Sequence, residues 1–176
     1  MVADIDTVDP QDARKACRAD QVNCRIANGA IKYFLKKKVR EDLLALGESS
    51  QAVSNDSCFV AFQRPVEVAF AGAKHSMHGR TFEEAFVYDN LEYFTKGELP
   101  FSEDLTVLTT AEDIRVKTYE EIRRQGFKKT EFALDMAAKA PKWRTPAYIE
   151  VGLKWLDKKL DTTPKAQAVP TDGSAQ

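Results

Sequence analysis

Two aspartates near the start of the printed sequence, Asp4 and Asp6, have the spacing of a metal-binding pair. The apolar residues 1–3 before them predict the end of a buried strand, and residues 7–10 after them predict a turn. Two carboxylates at i and i+2, where a strand opens into a loop, can converge on one hard cation such as Mg2+. The pair equally fits a turn or a helix cap. An EF-hand loop is excluded, because its glycine and closing glutamate are absent at the required offsets.

A second acidic group follows Gly79 in the sequence Gly-Arg-Thr-Phe-Glu-Glu. Thr81 and Glu84 have the T-x-x-E spacing of a capping box and predict the start of a helix, where acidic side chains also favour the helix dipole. The alternative is that Glu83 is a third carboxylate facing a metal. Both interpretations can hold together, because a helix N-terminus is a well-ordered place to mount a ligand.

A lysine pair, Lys128 and Lys129, opens a later helical pattern. Lysines at a helix start are ordinarily solvated, and that interpretation stays open. A lysine beside a metal site can instead stabilise the charge that develops on a phosphate during hydrolysis. These three segments are the candidates for chemistry in the sequence.

The bulk composition bounds the classes of function. The chain has 176 residues, 43% of them hydrophobic and 30% charged, which predicts one domain with a substantial core. The net charge is −1 and the sequence pI is about 6.2. Binding of nucleic acid by bulk charge is therefore not expected, and any such binding needs a local basic patch.

Cysteine usage and hydropathy predict a cytoplasmic protein. The three cysteines are an odd number without C-x-x-C spacing, which predicts reduced thiols. Zinc is not expected, because His75 and His78 lack a matching cysteine pair. No apolar run has membrane length and no signal-peptide pattern is present, so we expect no membrane association.

Local patterns predict the elements that must position these residues. Residues 58–62 and 66–70 have the composition of strands, whereas residues 7–27 and 71–79 predict loops. Asn28 is expected to cap a helix, and Gly47 is expected to end a second one that starts near residue 39. Further helices are predicted from Thr81, over residues 111–124 and 128–140, and from Thr145 onward.

The last two helices have apolar patterns that predict their buried faces. We expect Phe132, Leu134 and Met136 to pack inward. In the final helix, four residues recur at i, i+4, i+7 and i+11 and predict a stripe that faces the core: Ile149, Leu153, Leu156 and Leu160. Residues 51–56 and 96–110 are expected to be a loop and a linker. Residues 161–176 are rich in Pro, Ala, Thr and Gly and are expected to be a disordered tail.

Taken together, these segments resemble the C-terminal half of the Toprim nuclease domain in OLD-family (overcoming lysogenization defect) ATP-dependent endonucleases. The most specific segments are D-I-D, R-T-F-E and the closing P-x-Y-I-x-x-G-L-x-W-L. The matching segments follow the family order and span roughly residues 2–157: residues 4–9, 14–17, 27–32, 60–63, 79–86, 129–133 and 143–156.

The resemblance implies an α/β fold over residues 1–160, with a partial Toprim-like (Rossmann-like) parallel sheet, flanking helices and a helical C-terminal region. It implies a two-metal DNA endonuclease that uses Mg2+ or Mn2+. Carried over residue by residue, the metal ligands are Asp4, Asp6, Thr81 and Glu83, and the catalytic residues are Glu83 and Lys129. The family pattern also has a hydroxyl-bearing residue two positions before Thr81, where this chain has Gly79.

The resemblance also implies segments that the printed sequence does not contain. The family places an ABC-type ATPase and a glutamate-bearing first Toprim strand ahead of the matched region, whereas this sequence has no G-x-x-x-x-G-K-[ST] motif. We therefore expect a nuclease half that works on DNA together with the missing half. ATP would act only through an ATPase domain absent from this chain, and any homo-oligomer would form through absent regions. The sheet is expected to expose an edge and an apolar helix surface.

Two other interpretations remain open. The chain can be a non-catalytic remnant or an interaction partner that keeps the fold without assembling the metals. Another Toprim enzyme, such as a primase or topoisomerase, fits poorly, because it would not explain the R-T-F-E and K-x-x-F-A segments that follow D-I-D.

Overall fold

The structure is a computed structural model that describes residues 1–53, 57–97, 105–138 and 143–162. The chain has a mixed α/β architecture. Its strands are β1 (Val2–Ala3), β2 (Thr7–Val8), β3 (Arg25–Ile26), β4 (Ala52–Val53), β5 (Cys58–Phe59), β6 (Ala61–Phe62), β7 (Val66–Phe70) and β8 (Ala73–Met77). Its helices are α1 (Gly29–Phe34), α2 (Arg40–Leu44), α3 (Phe82–Asp89), α4 (Leu91–Phe94), α5 (Ala111–Arg123), α6 (Lys129–Ala138) and α7 (Ala147–Thr162), with a 3₁₀ turn at Glu48–Gln51.

A small parallel sheet carries the first acidic pair. β1 pairs in parallel with β6, with Val2 opposite Ala61 and Ala3 opposite Phe62. The remaining described strands form antiparallel ribbons, β2 with β3, β4 with β5, and β7 with β8. The prediction of an α/β chain with a parallel sheet is thus confirmed at this coarse level. The parallel part is confined, within the described residues, to two strands of two residues each.

The predicted loop over residues 71–79 is wrong, because most of it is strand β8. β7 and β8 form a hairpin in which Val66 lies opposite Met77. The turn uses Ala71 and Gly72, whose φ angles are 49° and 79°, and this left-handed turn matches the twist of a two-residue hairpin. β8 escaped the sequence pattern because, of its five residues, Met77 alone is buried, so it lacks the apolar alternation of a strand.

The predicted core stripe of the last helix is also wrong. Leu153, Leu156 and Leu160 are 56%, 47% and 66% exposed. α7 instead approaches β1 and β6 through Gly152, where an added Cβ would lie 3.1 Å from Cβ of Ala61. Because glycine has no side chain, this face of α7 lies closer to β1 and β6 than a face carrying leucine side chains could. The described part of α7 therefore exposes these three leucines.

The buried apolar residues form two clusters, one of which includes the parallel strands. One is built from β1, β6 and the first two helices. The other joins the β7–β8 hairpin to α3, α4, α5 and α6. Phe132 and Met136 belong to the second cluster, as predicted, whereas Leu134 is 64% exposed and does not pack inward. α3 is the central helix, because its residues from Glu83 to Tyr88 are all buried.

The sequence pattern correctly predicted the residue that caps α1. The Asn28 side chain accepts hydrogen bonds from the backbone N–H groups of Ala30 and Ile31 and so caps the start of α1.

No helix within the described ranges has the length and hydropathy to cross a membrane. Parts of several predictions fall outside the described residues: 54–56 of the predicted loop 51–56, 98–104 of the predicted linker 96–110, 139–140 of the predicted helix 128–140, and 163–176 of the predicted tail 161–176. Within the described parts, β4 (Ala52–Val53) occupies part of that loop, and α7 continues to Thr162.

Candidate functional site

Asp4 lies where β1 ends, and one glutamine fixes its carboxylate. Gln63, which follows β6, accepts a hydrogen bond from the backbone N–H of Ile5 at 2.9 Å. The amide nitrogen of the same side chain donates to Oδ1 of Asp4. Ile5 is fully buried and packs in the first apolar cluster, which anchors this segment. The parallel pairing of β1 with β6 therefore positions Asp4 through Gln63.

Asp6 is held by its backbone on both sides. Its φ angle is 48°, a left-handed conformation that aspartate tolerates better than most residues. Its N–H donates to the carbonyl of Arg80 at 3.2 Å, and its carbonyl accepts from the N–H of Ala27 at 3.0 Å. The side chain is 39% exposed, and Oδ1 lies 3.4 Å from Nη2 of Arg80. Asp6 thus presents a partly solvated carboxylate from a fixed backbone.

The N-terminus of α3 has the predicted capping geometry with one shift. Oγ1 of Thr81 accepts a hydrogen bond from the N–H of Glu84 at 3.5 Å. Oε2 of Glu84 accepts from the N–H of Arg80 at 2.9 Å, one residue before the expected position. The Thr81 hydroxyl is therefore already engaged as the cap of α3.

Glu83 and Lys129 meet although 46 residues separate them in the sequence. Nζ of Lys129, at the start of α6, lies 3.0 Å from Oε2 of Glu83. The Glu83 side chain is 6% exposed, whereas that of Lys129 is 60% exposed. A buried carboxylate on the central helix thus faces an ammonium group that reaches solvent.

Burial and neighbouring charge perturb the acidic groups. Burial raises the pKa of Asp4, the charges of Asp6 and Glu83 add to this effect, and hydrogen bonds from Gln63 and the backbone of Phe82 oppose it. Asp6 and Glu83 therefore both lie within electrostatic reach of Asp4.

A fourth carboxylate, Glu84, lies against the same group. Burial raises its pKa to about 7, against the opposing effects of the Arg80 backbone hydrogen bond and side-chain charge. Its Oε1 is buried without a hydrogen-bond partner in the described part of the chain, and the same is true of Nε of Arg80. Orphaned buried polar atoms are costly, and their presence here marks an unbalanced polar site.

The donor set suits a hard divalent cation, because it supplies carboxylate oxygens. These oxygens are not, however, already arranged around a common point. Across the described residues, no three His, Cys, Asp or Glu side chains are already arranged to hold a metal ion. Arg80 and Lys129 occupy the carboxylates of Asp6 and Glu83. A cation bound at these carboxylates would therefore compete with the two ion pairs.

Gly79 explains why the family's extra hydroxyl has no equivalent here. A Cβ added to Gly79 would lie 2.5 Å from the backbone nitrogen of Ala85 and 2.9 Å from its Cα. Contacts this short with backbone atoms force the helix to move. The close packing of residue 79 on α3 thus excludes any side chain at this position.

Sequence reasoning missed three residues that support the site. Gln63 and Arg80 fall within segments that matched by sequence, but no pattern assigned them a partner. Tyr148 of α7 is buried, and its pKa is raised by burial and by the nearby charge of Asp4. All three roles depend on contacts between distant segments, for which a single sequence carries no local signal.

Comparison with protein-family models, with curated proteins and with solved structures found no match to this chain.

Proposed function

We propose that this chain is the nuclease half of an OLD-type, metal-dependent DNA endonuclease with a Toprim-like fold. One observation carries the proposal. The backbone N–H of Asp6 donates to the carbonyl of Arg80, just before α3, and Nζ of Lys129 lies 3.0 Å from Oε2 of Glu83 on that helix. The charges of Asp6 and Glu83 also raise the pKa of the nearby Asp4, and a bound divalent cation would offset this repulsion.

The residues have distinct roles in this proposal. Asp4, Asp6 and Glu83 would hold Mg2+ or Mn2+. Gln63 fixes the orientation of Asp4, and Arg80 fixes that of Asp6. Bound ions would supply an activated water and stabilise the leaving oxygen of the phosphodiester. Lys129 would act as the catalytic residue that stabilises the charge developing on the phosphate, once its ammonium group leaves Glu83.

Thr81, the fourth metal ligand that the resemblance implies, also caps α3 through its hydroxyl and so helps to keep Glu83 in place. DNA is the proposed substrate and the cytoplasm the proposed compartment. A polypeptide with the ATPase and the first Toprim strand is the proposed partner, and ATP acts only through it.

The direct test is nicking of supercoiled plasmid DNA in the presence of Mg2+ or Mn2+. The assay uses the chain alone and the chain supplied with a polypeptide that carries the ATPase and first Toprim strand. We expect metal-dependent nicking in the supplied sample and its loss in Asp6→Asn. The matched control is Asp9→Asn, because Asp9 lies in the same loop and its carboxylate accepts hydrogen bonds from the backbone N–H groups of Gln11 and Asp12 rather than contacting Asp4, Glu83 or Lys129. Equal cleavage by wild type and Asp6→Asn would show that the proposed site is wrong.

A second candidate is a non-catalytic interaction protein that retains the fold. The observation that favours it is that Arg80 and Lys129 already neutralise Asp6 and Glu83. Mn2+ binding, followed by its electron paramagnetic resonance signal, separates the two candidates. Saturable binding that is lost in Asp6→Asn supports the nuclease. Absence of binding, with the fold intact by circular dichroism, supports the non-catalytic candidate.

A further inference from the structure

An open basic groove lies next to the acidic site. Its volume is about 420 Å³. We call it the basic groove, because three cationic side chains line it: Arg25, Lys32 and Lys38. Val8 and Ile26 contribute to its apolar part, and no acidic residue lines it. The groove therefore combines a concave shape with a single sign of charge.

Charge is segregated in this part of the chain. Residues 13–40 contain nine lysines and arginines and one aspartate, although the whole chain has a net charge of −1. The overall pI thus conceals a strongly basic segment. Clustering of cations on one face is the electrostatic pattern that attracts polyanions.

The groove cations differ from other cations of the same segment. Arg18 is paired with Asp20 and Glu112, and Arg40 is paired with Glu41. Arg25, Lys32 and Lys38 are exposed, and none of them forms an ion pair with a carboxylate of the described residues. Their charges are available to a ligand.

Backbone pairing fixes the positions from which these cations project. β3, which carries Arg25, pairs with β2 on one side and forms a bridge from Arg25 to Val39 on the other. The N–H of Ile26 donates to the carbonyl of Lys38 at 2.8 Å. Lys32 lies on α1, whose N-terminus is capped by Asn28. The three cations thus project from strand β3, from helix α1 and from the segment around residue 38, which is hydrogen-bonded to β3.

The groove adjoins Asp6 directly. Ala27, which lines it, donates its N–H to the carbonyl of Asp6 at 3.0 Å. The backbone of the groove wall is therefore joined to the backbone of the acidic site. Tyr33 on α1 is 67% exposed, and its ring lies under Nζ of Lys36 at 4.6 Å. Exposed aromatic rings among lysines are typical of surfaces that stack nucleic-acid bases.

We infer that the basic groove binds the phosphate backbone of DNA and directs the strand toward Asp6. The inference rests on the proposed nuclease function, and it assigns the surface that would hold the substrate. A flat membrane surface fits less well, because the cations line a concave groove on separate elements.

The test measures binding of a short fluorescein-labelled DNA duplex by fluorescence anisotropy, with Ca2+ in place of Mg2+ to prevent cleavage. The groove variant combines Arg25→Gln, Lys32→Gln and Lys38→Gln. Three lost phosphate contacts reduce the slope of log K against log salt by about 2.7 and weaken binding on the order of 100-fold near physiological salt. The matched control removes the same charge from exposed lysines on other elements: Lys74→Gln, Lys96→Gln and Lys154→Gln.

The control is expected to retain the wild-type slope. An equal loss in both triple variants, or no loss in the groove variant, would overturn the inference. Stronger, groove-dependent binding to vesicles with anionic phospholipid than to DNA would also overturn it in favour of a membrane surface. Asp6→Asn separates this inference from the proposed function. Groove-dependent DNA binding without metal-dependent cleavage would refute the nuclease and leave the groove in place.

Discussion

Replacement of Lys129 by glutamine is the sharpest test of whether Glu83 binds a cation. The variant removes an ammonium group 3.0 Å from a carboxylate that is 6% exposed. Exposed ion pairs contribute about 0.2–1 kcal/mol, whereas breaking a buried pair costs about 3–5 kcal/mol. Lys129 itself is 60% exposed, so solvent screening places the loss between these two ranges, at about 1–2 kcal/mol. For a chain of this size, that loss lowers Tm by roughly 3–6 °C.

Added Mn2+ should reverse this loss. A cation that binds only the folded state stabilises it by RT ln(1 + [L]/Kd), and Lys129→Gln removes the group that competes with the cation for Glu83. Relief of about 1.4 kcal/mol of competition corresponds to a tenfold tighter Kd. We therefore expect millimolar Mn2+ to raise the Tm of Lys129→Gln more than that of the wild type, as measured by differential scanning fluorimetry.

The neighbouring lysine provides the control. Lys128 pairs with Glu131, and both side chains are more than 60% exposed, so Lys128→Gln should leave Tm almost unchanged, without any dependence on Mn2+. Glu83→Gln should abolish the Mn2+ effect. The reasoning is refuted if Mn2+ stabilises Lys129→Gln no more than the wild type, or if it stabilises Glu83→Gln equally.

Three further predictions concern the framework of the site. Burial lowers the pKa of His78 to about 4 from its ordinary 6.5, so stability should be complete above pH 6.5 and fall by about 3 kcal/mol as the pH drops to 4. Denaturant titrations across this range should show a smaller slope with pH for His78→Gln, and equal slopes would contradict the buried neutral histidine. Gly152→Val should destabilise the chain by about 1–3 kcal/mol through its contact with β6, whereas Leu160→Gln should stay within about 0.5 kcal/mol; a reversed order in urea unfolding would restore the leucine stripe as the buried face. Gly79→Ser should lower Tm without tightening Mn2+ binding, because the added side chain meets the backbone of α3; a tighter Kd at unchanged Tm would show that the family's hydroxyl can be accommodated.

Local sequence determined the features that depend on a few neighbouring residues. Asn28 and Thr81 were identified as caps because a side-chain oxygen satisfies backbone N–H groups within one helical turn. The alternation of Val66, Val68 and Phe70 correctly predicted β7 for the same local reason. The chemical types at the candidate site, carboxylates and a lysine, were likewise visible from the sequence.

Tertiary structure decided which of these residues meet and which faces are buried. Glu83 and Lys129 lie on separate helices, and Gln63 reaches Asp4 only because β1 pairs with β6. The apolar stripe of α7 gave the wrong face, because Gly152 allows the helix to approach the sheet more closely than a leucine can. The periodicity of a helix reveals that it has an apolar face. Whether that face is buried depends on the surface that the rest of the chain presents, and this is a property of long-range packing.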